Sequence, residues 1–182
     1  MSGFPSRPEA MDADWLAQAL GQPAGALAGF TAKAVGTGQM CDSFRLTLDW
    51  RDQGDAPASI IAKCPSLDPA SRGIAQQLSS YLLEVNWYRE LADDVPISVP
   101  RCSFADIADD KIEFLLLLED LAPARQGDQL AGVGADAIAA CVKQAARLHA
   151  ARWDDPRLAE MSWLQKDNRP MIRAMFPALY QG

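Results

Sequence analysis

Positions 44, 46, 48 and 50 are Phe44, Leu46, Leu48 and Trp50, and Arg45, Thr47 and Asp49 stand between them. Alternation of this kind buries one face of a pleated strand and leaves the other wet, so the segment predicts a half-buried β-strand. A strand-like stretch over residues 30–35 precedes it across a GTGQMCDS loop. After a polar turn at 51–57 containing Gly54, residues 59–64 (SIIAKC) read as a third strand closed by Pro65. Three consecutive strands with short connections predict an antiparallel meander. Upstream, Trp15, Leu16, Ala19 and Leu20 share a helical face behind Asp12 or Asp14 as the cap, with Gly21 as the stop. The first ten residues carry Pro5 and Pro8 without periodicity and are expected to form a loose lead-in.

Helical spacing takes over at Ile74, Leu78, Leu82, Val85 and Leu91, with Tyr81 and Tyr88 nearby, and predicts one long amphipathic helix over residues 75–92. Residues 102–107 and 111–119 then read as a hairpin turning at Asp109-Asp110. Its second arm is apolar enough to be buried on both faces. Pro123, Gly127, Gly132 and Gly134 make residues 121–134 a connector. Beyond it, residues 135–153 are alanine-rich with Ile138, Val142, Ala145 and Leu148 along one stripe, and two shorter helical stretches follow at 158–164 and 171–180. No strand signal appears after Glu119. The predicted fold class is α+β: five antiparallel strands with one long inserted helix over residues 1–121, a connector at 122–133, and a partial helical lobe over 134–182.

Composition narrows the partners. With 49% hydrophobic and 23% charged residues, the 182-residue chain is an ordinary globular sequence. Its 17 Lys+Arg against 24 Asp+Glu leave a formal charge of −7, so a phosphate-backbone contact would have to overcome the chain's own field. Nucleic acid is not an expected partner. The longest strongly apolar run, residues 114–118, is far short of the roughly 20 that span a bilayer, and the N-terminal MSGFPSRPEA has no apolar signal core. No membrane partner is expected. Cys41, Cys64, Cys102 and Cys141 form no CxxC pair and His149 is the one histidine, so no metal site is expected. A cytoplasmic chain with reduced thiols follows from that reading.

Strand, glycine-bearing loop, strand, strand with an interior lysine, helix with an interior glutamate, and hairpin is the order of parts in kinase-type phosphate sites. There a GxG loop lies close over a triphosphate, a strand lysine reaches its phosphates, and a helix glutamate fixes the lysine. The candidates are Gly36 and Gly38, Lys63, and Glu84. Each also has a plainer reading. A GTG between strands is commonly a hairpin loop, a lysine in an apolar strand commonly snorkels from an edge, and a helix glutamate is commonly solvated. Where the apolar strand runs into Glu119-Asp120-Leu121, the backbone could offer the N–H and C=O pair an adenine edge needs, or simply end a buried strand at the surface. His149 reads as a packing or capping residue, and Cys141 lies two helical turns from it, too far for contact. Asp12 and Asp14, although spaced as a metal pair, stand at a helix start where capping is their expected role.

The blocks GTGQMCDSFRLTL, IIAKCP, LLEVNWYREL, FLLLLEDL and AARLHAARW together resemble successive N-terminal blocks of the aminoglycoside phosphotransferase and choline kinase-like superfamily, with the flavour of its ecdysteroid-kinase-like branch. The resemblance runs from about Phe30 to Trp153. It implies a bilobal protein-kinase-like fold that transfers the ATP γ-phosphate to the hydroxyl of a small molecule. By that likeness Gly36, Gly38 and Ser43 would lie over the phosphates, Lys63 would contact them, and Glu84 would hold Lys63. Glu119 and Leu121 would frame the adenine hinge, and the helix with His149 would open a C-terminal lobe.

The sequence also departs from that pattern. Family members carry an HGD-type loop whose aspartate orients the acceptor hydroxyl and whose asparagine binds Mg²⁺, with a further metal-binding aspartate later. Here His149 precedes Ala150, and Asp154, Asp155, Asp167 and Asn168 stand in no matching motif. The expectation is therefore the N-terminal part of a small-molecule kinase, truncated before its catalytic loop, with no catalytic or metal-binding residue in this chain. ATP would be its ligand, Mg²⁺ would come only with the rest of a C-terminal lobe, and the hydroxylated substrate is unspecified. Helical faces meant for absent neighbours would favour self-association. The alternatives are a noncatalytic nucleotide-binding or protein-interaction module derived from such an N-lobe, and an unrelated α+β domain.

Overall fold

The alternating segments form five strands in the computed structural model: β1 Leu27–Val35, β2 Cys41–Trp50, β3 Ser59–Pro65, β4 Cys102–Ile107 and β5 Phe114–Glu119. The structure describes residues 3–36, 38, 40–125, 127, 128, 130–165, 169, 170, 173 and 174. The chain divides into two compact units, Met1–Ala151 and Arg152–Gly182.

All neighbouring strands are antiparallel, in the order β1-β2-β3-β5-β4. The expected meander is β1-β2-β3. The expected hairpin follows, but its second arm inserts next to β3 and pushes β4 to the edge. Phe114, Leu115, Leu116, Leu117 and Leu118 are all buried, so β5 needs cover on both faces and a strand on both sides. β4 carries Ser103 and Asp106 and tolerates the edge.

Strand parity then builds two cores. Leu46, Leu48, Ile60, Ala62, Cys64, Leu115 and Leu117 pack with Leu16 and Ala17 on one face, while Phe114, Leu116 and Leu118 pack with Ala75, Tyr81 and Val85 on the other. Helix α1, Ala13–Ala19, covers the first face. Its cap is as expected: Asp12 Oδ1 accepts from Trp15 N at 2.7 Å, Asp14 Oδ1 accepts from Gly25 N at 2.7 Å, and Gly21 turns the chain at φ +75°.

Two expectations need correction. Residues 3–10 are not a loose lead-in. Phe4 is buried with its ring 5.9 Å from that of Phe104, and Ser6 Oγ donates to Glu113 Oε2 at 2.7 Å. Arg7 Nη1 donates to Asp42 Oδ2 at 2.9 Å and Pro65 O at 3.0 Å, with its guanidinium over the Phe44 ring. One aromatic anchor and one arginine fasten this strap, and neither produces a periodic signal. The long helix expected over 75–92 is two helices, α2 Pro69–Leu78 and α3 Ser80–Glu90, parted at Ser79 with φ +56°. Asp68 starts α2 by accepting from Ser71 N at 2.7 Å, and Pro69 sits at its first turn. Both helices face the same core, so the apolar spacing runs unbroken across the kink and conceals it.

Helix α4, Ala135–Ala151, forms where the alanine-rich stretch predicts it and buries none of its residues. Ile138 and Val142 are 51% and 60% exposed, and Gln144 Oε1 accepts from Ser98 N at 3.3 Å. In the second unit, α5 Arg157–Glu160 and a 3-10 turn at Ser162–Leu164 occupy the expected 158–164 stretch. Asp155 there pairs with Arg152 at 3.0 Å and Arg157 at 2.9 Å. The helical stretch expected over 171–180 lies outside the described residues except for 173 and 174. Among the described residues no strand follows Glu119, and no helix is long and apolar enough to cross a membrane.

Candidate functional site

Parity decides which way Lys63 faces. Ala62 and Cys64 belong to the core under α1, so Lys63 between them projects to the opposite face, where α3 lies. Glu84 is on α3, one turn beyond the buried Tyr81, and its Oε1 stands 2.5 Å from Lys63 Nζ. The two side chains are 24% and 31% exposed, a pair set at the edge of the core. Burial pulls the Lys63 ammonium downward, but the charge and hydrogen bond of Glu84, with a smaller contribution from Cys41, outweigh it and hold the group above its ordinary value. Lys63 is therefore a fixed cation across the neutral range. The Cys41 thiol, pushed up by burial and pulled back by Lys63, stays protonated beside it.

The loop between β1 and β2 borders this pair. Ser43 lies directly opposite Lys63 in the β2–β3 register, and Val35 opposite Ser43 in β1–β2. Gly36 has φ +79°, which a side chain rarely adopts. At Gly38 an added Cβ would stand 2.7 Å from the Cys41 carbonyl oxygen, so only hydrogen fits against that backbone. Gly36, Gly38, Cys41, Asp42 and Ser43 line a shallow recess of about 300 Å³ at this end of β1 and β2. Lys63 and Glu84 are outside its lining, and Cys41 connects the two parts.

Glu119 and Leu121 stand at the other end of β5. Leu116 pairs with Lys63 and Glu119 with Ile60, so Glu119 is three residues, about 10 Å, along the sheet from Lys63. Two backbone groups of this segment are already used. The Glu119 N–H donates to Arg101 O at 2.8 Å, and the Leu121 C=O accepts from Ala124 N at 2.9 Å.

Two residues escaped sequence reasoning. Asp120 has a 5% exposed side chain that accepts from Arg45 Nε at 2.6 Å, Ser59 Oγ at 2.7 Å, Arg45 Nη2 at 3.0 Å and Ala122 N at 3.1 Å. It clamps β2, β3 and the segment leaving β5. An acid flanked by Glu119 and Leu121 gives no cue to those distant partners. Tyr81 donates its hydroxyl hydrogen to Met40 O and accepts from Ser66 N at 3.4 Å, which ties α3 to the loop and to the end of β3. Its helical spacing signalled only core packing.

Exposed on α4, His149 and Cys141 are placed in no site. Among the described residues no three His, Cys, Asp or Glu side chains gather where they could hold a metal ion. No family model matches the chain, and no curated protein matches it. What the arrangement can do chemically follows from its parts: a positioned ammonium beside a tight glycine loop can take an oxygen of an anion, and Glu84 keeps that ammonium from wandering.

Proposed function

We propose that the chain carries the nucleotide-holding half of an ATP-dependent phosphotransferase that acts on the hydroxyl of a small molecule. The observation that carries this reading is the 2.5 Å pair between Lys63 on β3 and Glu84 on α3, beside the glycine-bearing loop. It is supported by the strand order β1-β2-β3-β5-β4 with α2 and α3 placed between β3 and β4, an arrangement a protein-kinase-like N-lobe would have. In this reading Gly36, Gly38 and Ser43 approach the phosphates through the backbone, as the missing Cβ space at Gly38 allows. Lys63 contacts the α and β phosphates, and Glu119 and Leu121 take the adenine edge about 10 Å away along the sheet. The protein works in the cytoplasm, where ATP is supplied and thiols such as Cys41 stay reduced.

Phosphoryl transfer also needs a group that positions the acceptor hydroxyl and metal ligands that offset developing charge. Among the described residues no three carboxylates, histidines or cysteines gather, so this part of the chain does not fit Mg²⁺. A noncatalytic nucleotide-binding module would use the same pair in the same way, and γ-phosphate transfer is where the two readings part.

Calorimetric titration of the wild type and Lys63→Ala with ATP tests the proposal. The wild type is expected to bind, and the variant to bind at least about tenfold more weakly, as loss of a charge-assisted contact implies. Equal affinities for the two proteins would remove the assigned role of Lys63.

A further inference from the structure

We propose that Tyr81 is a positioning residue of the phosphate site, its hydroxyl locking the loop between β1 and β2 to the helix that presents Glu84. The inference rests on the nucleotide-binding reading above. Tyr81 is only 2% exposed, and its ring lies 4.5 Å from that of Phe114, so its place in the core is fixed by packing. From that place the hydroxyl reaches two segments at once. It donates to the carbonyl of Met40, the residue before β2, and accepts from the amide of Ser66, the residue after β3.

The consequence is mechanical. A trans peptide holds its C=O and N–H on opposite sides, so pinning the Met40 carbonyl toward α3 fixes the direction of the Cys41 N–H as well. Cys41 is the residue whose carbonyl closes on Gly38. One buried hydroxyl therefore fixes the Met40–Cys41 peptide beside Gly38 and ties it to the helix turn that carries Glu84. A loop held in this way loses less freedom when a polyphosphate settles under it, and that saving appears as affinity for phosphate. The nucleoside end of the ligand, about 10 Å away, does not feel it.

Tyr81→Phe keeps the ring in its packing and removes only the oxygen. The full chain and this variant are titrated with ATP and with adenosine. In parallel, the nucleotide-free proteins are alkylated with iodoacetamide, and the rate at Cys41 is read by peptide mass mapping. The expected pattern is ATP affinity weakened about fivefold, adenosine affinity unchanged, and Cys41 alkylated about fivefold faster, the size one modest hydrogen bond carries. Wild-type ATP binding with an unaffected Tyr81→Phe overturns the role of Tyr81 and leaves the nucleotide reading standing. An equal loss for ATP and adenosine overturns it too, because the hydroxyl then serves stability alone, as does an unchanged Cys41 rate. A wild type that binds no ATP defeats the nucleotide reading itself, and this role with it.

Discussion

Asp120→Asn removes one charge and almost no volume from the clamp at the end of β5. The side-chain hydrogen bonds from Arg45, with smaller help from Ser59 and the Ala122 amide, outweigh burial and bring the carboxyl from its ordinary 3.8 down to about 2. A folded value below the unfolded one means the carboxylate adds stability that is fully present above about pH 4 and is lost as the pH falls through about 2. At about 1.36 kcal/mol per unit, the shift corresponds to roughly 2 kcal/mol before screening. Arg45 is 42% exposed, so water screens its half of the pair and about 1–2 kcal/mol is the expected net effect. Urea unfolding followed by tryptophan fluorescence measures it. At pH 7 the variant should be less stable by that amount with an unchanged dependence on urea, and at pH 3 the gap should shrink to about half. A gap of the same size at both pH values would refute a charge origin. A gap below about 0.3 kcal/mol at pH 7 would refute the clamp.

Three further outcomes follow from the same geometry. Gly38→Ala forces the Cys41 carbonyl to move from a contact of 2.7 Å, and should weaken ATP binding about tenfold while shifting Tm by less than about 3 °C; unchanged ATP affinity would mean the loop does not approach the ligand. Arg7→Ala removes the Asp42 pair, the Pro65 O hydrogen bond and the contact with Phe44, and should lower Tm by about 3–6 °C in a thermal melt. An unchanged melt would show that the N-terminal strap contributes nothing to the sheet. Glu84→Gln should weaken ATP binding about fivefold by calorimetry, although it makes the site less negative.

The strands could be read from the sequence because each leaves a local trace. Phe44, Leu46, Leu48 and Trp50 alternate, and Phe114 to Leu118 are apolar without a break, so burial on one face or on two is written into the spacing. The place of β5 beside β3 was not readable, because pairing Leu116 with Lys63 joins residues far apart in the chain and periodicity carries no information about partners. Phe4 and Arg7 were missed for a related reason, since each acts alone. The kink at Ser79 was hidden because α2 and α3 serve one core. Lys63 and Glu84 were found as members of an ordered set of parts, and the structure brings them together. Asp120 and Tyr81 were not found, since their meaning lies in Arg45, Ser59, Met40 and Ser66, none of which is a sequence neighbour.

The sign of the Glu84→Gln effect separates two ways in which a lysine can serve a phosphate. If charge alone decides, a carboxylate 2.5 Å from Lys63 cancels the cation that attracts the ligand, and its removal tightens binding in a chain that already carries −7. If position decides, Glu84 has absorbed beforehand the entropy of fixing a four-carbon side chain, worth about 1.5–2 kcal/mol, and its removal loosens binding. The geometry favours position. Lys63 and Glu84 sit on different elements, β3 and α3, and the loop is tied to α3 through Tyr81, so the ammonium and the loop share one frame before any ligand arrives. Salt distinguishes the two causes further. A charge effect between partly exposed groups fades as the Debye length falls from about 10 Å at 0.1 M toward about 3 Å at 1 M, whereas a positional effect persists. Weaker binding by Glu84→Gln at both salt concentrations is therefore the result the geometry requires, and tighter binding confined to low salt is the one it forbids.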